Sequence, residues 1–277
     1  MSARLGERPL LLLAFVSFAL HLPPAQLGAQ TPSPEIVVSV TGGFTQGRGL
    51  WSTRQPVAVP EPGPLLLDTF LLDRGLSPGA TAWVGLSWFP RSATGIGAEM
   101  GWIAAGTQTR CGIAGTPQPD PNERNLLACA RLGSEPEATS ALAILGTMTV
   151  RVDPRRDVSP FFRAGVGVAV LSGSFVAARA RYSDLSCPDC VRVFLALDDR
   201  LVTWAGMLAA GVTIGGASRS RFRIEARDVV LGLPVVTGAA NPVSEHPVPP
   251  TRTRPAHRFT VGFGLDLVLA GAHRRRY

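Results

Sequence analysis

Seven charged side chains stand at alternate positions of segments that otherwise carry little charge. Only 17% of the 277 residues are charged, against roughly 25% in typical soluble domains. On a strand, alternate positions share one face, so these groups can pair with each other in a sheltered space. The set comprises four arginines and three carboxylates: Glu99, Arg151, Arg163, Arg223, Glu225, Arg227 and Asp266.

The most specific part of this set lies between Arg223 and Arg227. Charge alternates in sign along one face there, while Ile224 and Ala226 occupy the other face. In a membrane strand, the apolar face would meet lipid and the charged face would point into a lumen. The pattern therefore predicts a network of paired charges that stabilises and plugs a barrel interior.

Four cysteines offer a second kind of chemistry. In an exported chain an even cysteine count favours disulfides, and proximity suggests Cys111 with Cys129 and Cys187 with Cys190. Four cysteines still allow three connectivities. The segment from Cys187 to Cys190 is also similar to a redox or metal motif, but it lacks the strand-to-helix context of a redox site. We therefore expect disulfides, with no metal and no cofactor.

Histidine and serine give little support for catalysis. His246 and His257 lie in or beside a proline-rich segment, and His273 lies in the C-terminal tail. No Gly-Xaa-Ser-Xaa-Gly elbow or nucleotide-binding fingerprint is present. We expect no catalytic residues and a non-enzymatic protein. An enzyme that acts on lipid and a narrow small-solute channel are the alternatives.

The elements that position these residues follow from a period-2 alternation of apolar and small or polar residues. In the last segment, from Arg258, one face carries Phe259, Val261, Phe263, Leu265, Leu267 and Leu269. The opposite face carries Thr260, Gly262, Gly264, Asp266 and Val268. Each segment has about ten residues, the length that a tilted strand needs to cross a membrane. Eight such segments occur, at 36–45, 80–89, 95–105, 141–152, 161–171, 201–214, 222–230 and 258–269.

The connections alternate in length, which indicates the architecture. Three are short turns, at 90–94, 153–160 and 215–221, and four are long, at about 47–79, 106–140, 172–200 and 231–257. Outer-membrane barrels have short periplasmic turns and longer outer loops. We predict an all-β fold, a transmembrane up-and-down antiparallel barrel of eight strands. Two apolar stretches inside loops, 65–72 and 191–197, are candidates for strand extensions above the membrane or for an additional hairpin, which leaves a count of ten strands open.

The N-terminus has the layout of a secretory signal. Arg4 and Arg8 precede an apolar run over 10–20, followed by a proline pair and small residues up to Ala29. The run is short for a membrane helix. We predict a signal peptide over 1–29 with cleavage near Ala29, a barrel over 30–270 and a basic tail over 271–277.

These features together resemble the small eight-stranded bacterial outer-membrane barrels, the OmpA-like family. The resemblance rests on the signal peptide, the period-2 alternation of apolar residues, the alternation of long and short connections, and the closing strand from Phe259 to Leu267. It implies a location in the Gram-negative outer membrane, with lipid and the barrel-assembly machinery as partners. The tail, with Arg274, Arg275 and Arg276, departs from the usual aromatic end of the family's last strand.

Two further readings of the chain are less favoured. Residues 201–218 carry no charge, but their length is marginal for a membrane helix and they contain four glycines. The net charge of +7 could suggest nucleic acid, yet the basic excess falls in the short turns and the tail. We therefore expect no nucleic acid, a monomer, and long loops that are available for an extracellular ligand of unknown identity.

Overall fold

Eight strands form a closed antiparallel barrel in the computed structural model. The structure describes residues 34–59, 65–91, 93–115, 117–118, 123–134, 138–178, 202–216, 218–244 and 247–270. The barrel strands are β1 (Glu35–Thr45), β4 (Gly79–Phe89), β5 (Thr94–Ala104), β7 (Ser140–Arg151), β8 (Val158–Ser172), β9 (Val202–Ile214), β10 (Ser220–Val236) and β11 (Thr251–Ala270). Each has at least the roughly 9–11 residues that cross a hydrocarbon layer.

The strands follow the barrel wall in the order β1-β11-β10-β9-β8-β7-β5-β4, and β4 pairs with β1 to close it. Val40 lies opposite Leu265 on one side and opposite Val84 on the other. Closure leaves no barrel strand with a free edge along the shared span, which is the arrangement a sheet needs in lipid. The up-and-down barrel predicted from the sequence is confirmed.

Alternation along each strand separates an apolar outer surface from a buried inner one. On β11, Phe259 is 49% exposed and Leu269 is 66% exposed, whereas Thr260 is 4% exposed and Asp266 is fully buried. Phe44 on β1 and Trp102 on β5 also face outward. A soluble barrel would have the reverse distribution, so the outer surface is suited to lipid.

Short turns gather at one end of the barrel, which we call the turn end. They join β4 to β5, β7 to β8 and β9 to β10. Asp153 and Gly216 adopt positive φ values, of 51° each, which allow the chain to reverse within a few residues. The strand predicted over 201–214 is present as β9, in place of the less favoured membrane helix over 201–218. No helix among the described residues is long and apolar enough to span a membrane.

The opposite end carries a compact structure that the sequence did not predict. Three strands, β2 (Arg48–Ala58), β3 (Leu67–Leu76) and β6 (Thr107–Ile113), form a sheet in the order β2-β3-β6, and helix α1 (Arg124–Ser134) packs beside β6. We call these four elements the cap. They lie in segments that we predicted as loops, which was wrong for much of 47–79 and 106–140. Of the two apolar stretches noted inside loops, 65–72 falls largely on β3, which belongs to the cap sheet and not to the barrel wall, and 191–197 lies outside the described residues.

The cap strands are continuations of barrel strands beyond a break. Two residues separate β1 from β2, β3 from β4, and β5 from β6. The break between β3 and β4 is tied to that between β5 and β6 by a hydrogen bond from the Ser77 amide to the Gly106 carbonyl, 2.6 Å long.

The predicted fourth loop is also shorter than expected, because β10 runs to Val236 and β11 begins at Thr251.

Candidate functional site in the barrel lumen

The lumen at the turn end is closed by three charged groups. The Glu35 carboxylate accepts a hydrogen bond of 2.9 Å from Arg151 and one of 3.2 Å from Arg221. The Arg151 guanidinium lies 3.5 Å from the centre of the Phe89 ring, which shields it from water. Arg221 lies beside Glu35 because the first residue of β1 faces the start of β10 across the mouth.

Six of the seven charged residues singled out in the sequence form a single cluster deeper in the lumen. The cluster contains three arginines and three carboxylates, so its formal charges balance. Every member is buried, with exposures of 3% or less. We call it the charge cluster: Glu99, Arg163, Arg223, Glu225, Arg227 and Asp266.

Arg227 is the centre of the charge cluster. It donates to Glu225 through Nη2 at 2.6 Å and through Nε at 3.0 Å, and to Glu99 through Nη1 at 3.0 Å. Glu99 also accepts from Arg163, whose Nε donates to the Thr149 hydroxyl at 2.9 Å. Both bonds to Glu225 end on its Oε1, and charge-assisted hydrogen bonds of this kind hold the carboxylates in place.

The expected pairing of Arg223 with Glu225 is a secondary contact. Their charged atoms are 3.8 Å apart, whereas Arg223 donates to Asp266 at 2.6 Å and Glu225 accepts from Arg227. Arg223 and Arg227 are both inward neighbours of Glu225 on β10, so position along the strand does not decide the pairing; Arg223 is engaged by Asp266 of the adjacent strand β11 instead. Glu225 therefore depends chiefly on Arg227.

Two aromatic rings flank the charge cluster. Trp83 lies 4.2 Å from the Arg227 guanidinium, and Phe161 lies 4.8 Å from that of Arg223. Gly101 makes room for the indole, because a Cβ atom at this position would overlap the Trp83 ring. The rings fill space between the guanidinium groups and limit the water that reaches them.

Towards the cap, the lumen becomes apolar. The inner wall there combines alanines with larger apolar side chains, and a chain segment occupies the space in front of them. This segment, residues 173–178, we call the plug segment, and Phe175 within it is fully buried. Wall residues packed in the same core are Ala141, Ala143, Ala169, Ala205 and Leu231.

The plug segment is held by both its own turn and the cap. Gly173 adopts φ of +88°, which a residue with a Cβ atom rarely adopts, and this turns the chain inward after β8. The Phe175 carbonyl accepts a 3.0 Å hydrogen bond from the Trp51 indole, and the Ser174 carbonyl accepts one of 3.1 Å from Arg74. The cap therefore packs onto the plug segment and closes the lumen a second time.

A disulfide joins Cys111 on β6 to Cys129 on α1, with Cα atoms 5.2 Å apart. This is the pairing that proximity suggested, although Cys111 lies in a strand and Cys129 in a helix, both within the segment 106–140 that we predicted as a loop. The bridge fixes α1 against the edge of the cap sheet. Cys187 and Cys190 lie outside the described residues.

His257 is placed differently from the solvated loop position that we expected. It lies on the outer surface of β11, where its Nδ1 is 2.8 Å from an Asp228 carboxylate oxygen on β10. It is the first outward-facing polar residue beyond the apolar row that ends at Phe259. His246 and His273 lie outside the described residues.

The structure thus buries all seven predicted lumen residues and brings six of them together, with Arg151 at the turn end. The sequence reasoning missed Glu35, Arg221 and Arg258, which also face the lumen. Glu35 and Arg221 lie one residue outside the predicted segments and Arg258 begins the last one, so applying the inward alternation to the segment ends would have found all three. The plug segment has no comparable signal.

The fold and lumen define this chain as a small transmembrane β-barrel of eight strands. A crystal structure of Neisserial surface protein A is 7% identical, with a TM-score of 0.39, covering 84% of this chain and 96% of that chain. A solid-state NMR structure of outer membrane protein AlkL in DMPC lipid bilayers is 13% identical, with a TM-score of 0.39, covering 92% and 99%. These are likenesses of architecture alone. No family model and no curated protein matches the chain.

Proposed function

We propose that this chain is a non-enzymatic outer-membrane surface protein whose barrel anchors a rigid extracellular cap and forms no open pore. The observation that carries the proposal is the double closure of the lumen. Paired charges fill the half near the turns, and the plug segment under the cap fills the other half. A porin of this class would need a continuous aqueous path instead.

The outer-membrane location is supported by the apolar outer surface and by the predicted signal over 1–29. With eight strands, the first and last described residues fall at the turn end, which we assign to the periplasm. The cap then faces the exterior. Its hydrophobic core, which includes Trp51, Phe70 and Leu132, holds the three-stranded sheet and α1 as one firm surface for an extracellular partner.

Fractionation with electrophoresis tests the barrel and its location. We expect the protein in the outer-membrane fraction and a shift in mobility between unboiled and boiled samples. Protease added to intact cells should cut in the cap region and leave a membrane-protected barrel fragment. Recovery in the soluble periplasm, or cleavage that requires an opened outer membrane, would contradict the proposal.

Planar-bilayer recording tests the closed lumen and separates it from a narrow channel. The wild type should show at most small, irregular conductance. The double variant Glu225→Ala, Arg227→Ala removes a neutral pair from the charge cluster and should raise the frequency of openings if the cluster is a barrier. Large, stable steps from the wild type would overturn the proposal, and ion-selective small steps would favour the narrow channel.

A specific observation favours lipid hydrolysis as the second candidate. Asp228 hydrogen-bonds to Nδ1 of His257, so Nε2 is the ring nitrogen left for catalysis. It lies at the cap-side border of the apolar outer surface, where β11 becomes polar. A histidine so oriented can act as a general base. Among the described residues no serine hydroxyl hydrogen-bonds to it, so the nucleophile would have to be water or a group outside them.

Mass spectrometry of lipids separates the two candidates. The purified protein should release no fatty acid from lipid A or phospholipid in mixed micelles. If release occurs, it should disappear in His257→Ala and persist in the exposed control Arg254→Ala. Release at equal rates from both variants would indicate a contaminating enzyme and leave the non-enzymatic proposal intact.

A further inference from the structure

Arg258 is a buried cation without a counter-ion. Its exposure is 0%, and among the described residues no carboxylate lies within ion-pair distance of it. Within the described part of the chain, its hydrogen bonds run from Nη2 to the Ser77 carbonyl at 3.2 Å and the Ala104 carbonyl at 3.0 Å, and its Nε and Nη1 have no partner there. A dry, unpaired guanidinium is costly, because buried charges are otherwise paired.

The nearby charge cluster does not supply the missing negative charge. Glu99 is engaged by Arg163 and Arg227, and Glu225 by Arg227. Asp266 pairs with Arg223. With three arginines matched by three carboxylates, the cluster is formally neutral. The charge of Arg258, which lies on the lumen wall on the cap side of the cluster, is therefore not compensated by it.

Four other buried groups, on the strand of Arg258 and on the next two strands along the barrel wall, also lack a hydrogen-bond partner among the described residues. They are the hydroxyls of Thr45, Thr81 and Thr260 and the indole nitrogen of Trp83, each in a residue exposed by 4% or less. With Arg258 they form a set of donors from three adjacent strands, which we call the donor patch. A guanidinium and an indole can only donate, so this set is complementary to a negatively charged acceptor.

Strand register gathers the donor patch on one part of the inner wall. Thr45 lies directly opposite Thr260, and Arg258 is the next inward residue along β11. Thr81 is the inward neighbour of Trp83 on β4, and it pairs with Gly43, next to Thr45 on the same face of β1. Inward neighbours on a strand are about 7 Å apart, so the donors converge around a small volume.

From this geometry we infer that the donor patch binds one small inorganic anion, of the halide class, as a buried counter-ion to Arg258. The anion accepts from Nε or Nη1 of Arg258, from the threonine hydroxyls and from the Trp83 indole. It neutralises the cap-side half of the lumen, which the charge cluster leaves positive. The inference is independent of whether the protein conducts.

Bromide locates the site directly. The full-length protein is refolded and crystallised in sodium bromide, and an anomalous difference peak is expected beside the Arg258 guanidinium, within hydrogen-bond reach of Thr260. Arg258→Gln should abolish this peak. A wild-type map with no bromide at the donor patch, whether it contains water there or has bromide only elsewhere, would overturn the inference.

Salt dependence of unfolding gives a second readout. At equal ionic strength, the wild type should unfold at a higher denaturant midpoint in chloride or bromide than in gluconate. The exposed control Arg254→Gln should keep this difference, and Arg258→Gln should lose it. If Arg258 only anchors the two carbonyls, Arg258→Gln will be equally destabilised in all three salts while the wild type shows no halide effect, and the inference is wrong.

Thr260→Val keeps the test decisive where Arg258→Gln fails to fold. This substitution preserves the shape of the side chain and removes one donor. It should weaken the apparent halide affinity by about tenfold, as expected for losing one hydrogen bond to a charged ligand. An unchanged halide affinity in both Thr260→Val and Thr45→Val would remove the donor patch as the site.

Discussion

The two halves of the lumen are filled in different ways by the same alternating wall. Near the turn end, inward positions carry long charged residues such as Arg163 and Arg227, which reach across the interior and meet carboxylates from other strands. Near the cap, the wall carries alanines, and Phe175 from the plug segment occupies the interior. The wall is apolar where a chain segment enters and charged where none does.

This contrast shows that the lumen of an eight-stranded barrel can be filled either by paired charges or by apolar packing. In the charged half, stability depends on matched partners, because each ion is removed from water. In the apolar half, it depends on packing density, because a missing side chain leaves a cavity. Substitutions should therefore destabilise the barrel for different reasons in the two halves.

The largest effect is expected for Glu225→Gln in the charged half. The change leaves three buried arginines with two carboxylates, and losing one partner of a buried pair costs about 3–5 kcal/mol. Urea unfolding in lipid vesicles measures the free energy of unfolding. The exposed cap variant Asp73→Asn is the matched control and should be near neutral.

Coupling within the charge cluster can be measured with the same assay. Glu225→Gln combined with Arg227→Gln restores neutrality and should recover part of the lost stability, giving a coupling of about 0.5–3 kcal/mol. The combination with Arg223→Gln should recover less, because Arg223 chiefly pairs with Asp266. Equal recovery in both combinations would show that the cluster responds to net charge and not to specific partners.

Phe175→Ala in the apolar half should have a comparable or slightly smaller effect. Truncation of a buried phenylalanine costs about 3–5 kcal/mol, and lipid or water entering the cavity would lower that value. Phe44→Ala on the outer surface is the control, because Phe44 is 79% exposed and does not pack in the lumen. Equal effects at both sites would show that the plug segment is not packed as described.

Removal of the disulfide should affect the cap and spare the barrel. Cys111→Ser with Cys129→Ser opens a loop spanning 18 residues, for which the chain-entropy model gives about 3 kcal/mol. Limited proteolysis should cut α1 faster in the variant. The mobility shift on boiling should stay the same, and its loss would show that the cap is needed for barrel formation.

The smallest effect is expected for Asp228→Asn on the outer wall. Its pair with His257 is partly exposed, with side-chain exposures of 34% and 49%. Such surface pairs contribute about 0–1 kcal/mol, in contrast to the buried pairs of the lumen. Urea unfolding should therefore barely distinguish the variant from the wild type. A loss as large as that of Glu225→Gln would mean that the outer pair is shielded from water.

Local alternation was sufficient to predict the barrel and the inward position of all seven charged residues. Whether a residue such as Asp266 faces inward depends only on its parity along the strand, which is a property of neighbouring residues. The hydropathy of the two sets of alternate positions then decides which set faces lipid. For the same reason, β11 could be recognised from Phe259 onward, where apolar residues alternate with Thr260, Gly262 and Gly264.

Pairing between distant strands was decided by the tertiary structure. Arg227 contacts Glu99 across the lumen because the offset at which eight strands close brings β5 and β10 to the same height, and no local pattern contains that offset. The cap strands were missed because short breaks after Thr45 and Leu76 interrupt alternation that continues beyond the membrane span.

What the sequence by itself determined is the eight-stranded wall with its apolar exterior and charged interior, because strand periodicity is local. Only the tertiary structure determined the partners of Glu225 and Arg223, the inward course of residues 173–178, and the isolation of Arg258 from any described carboxylate. Each of these depends on which residues meet across the lumen. That is set by closure of the whole sheet and by the cap packed over its mouth.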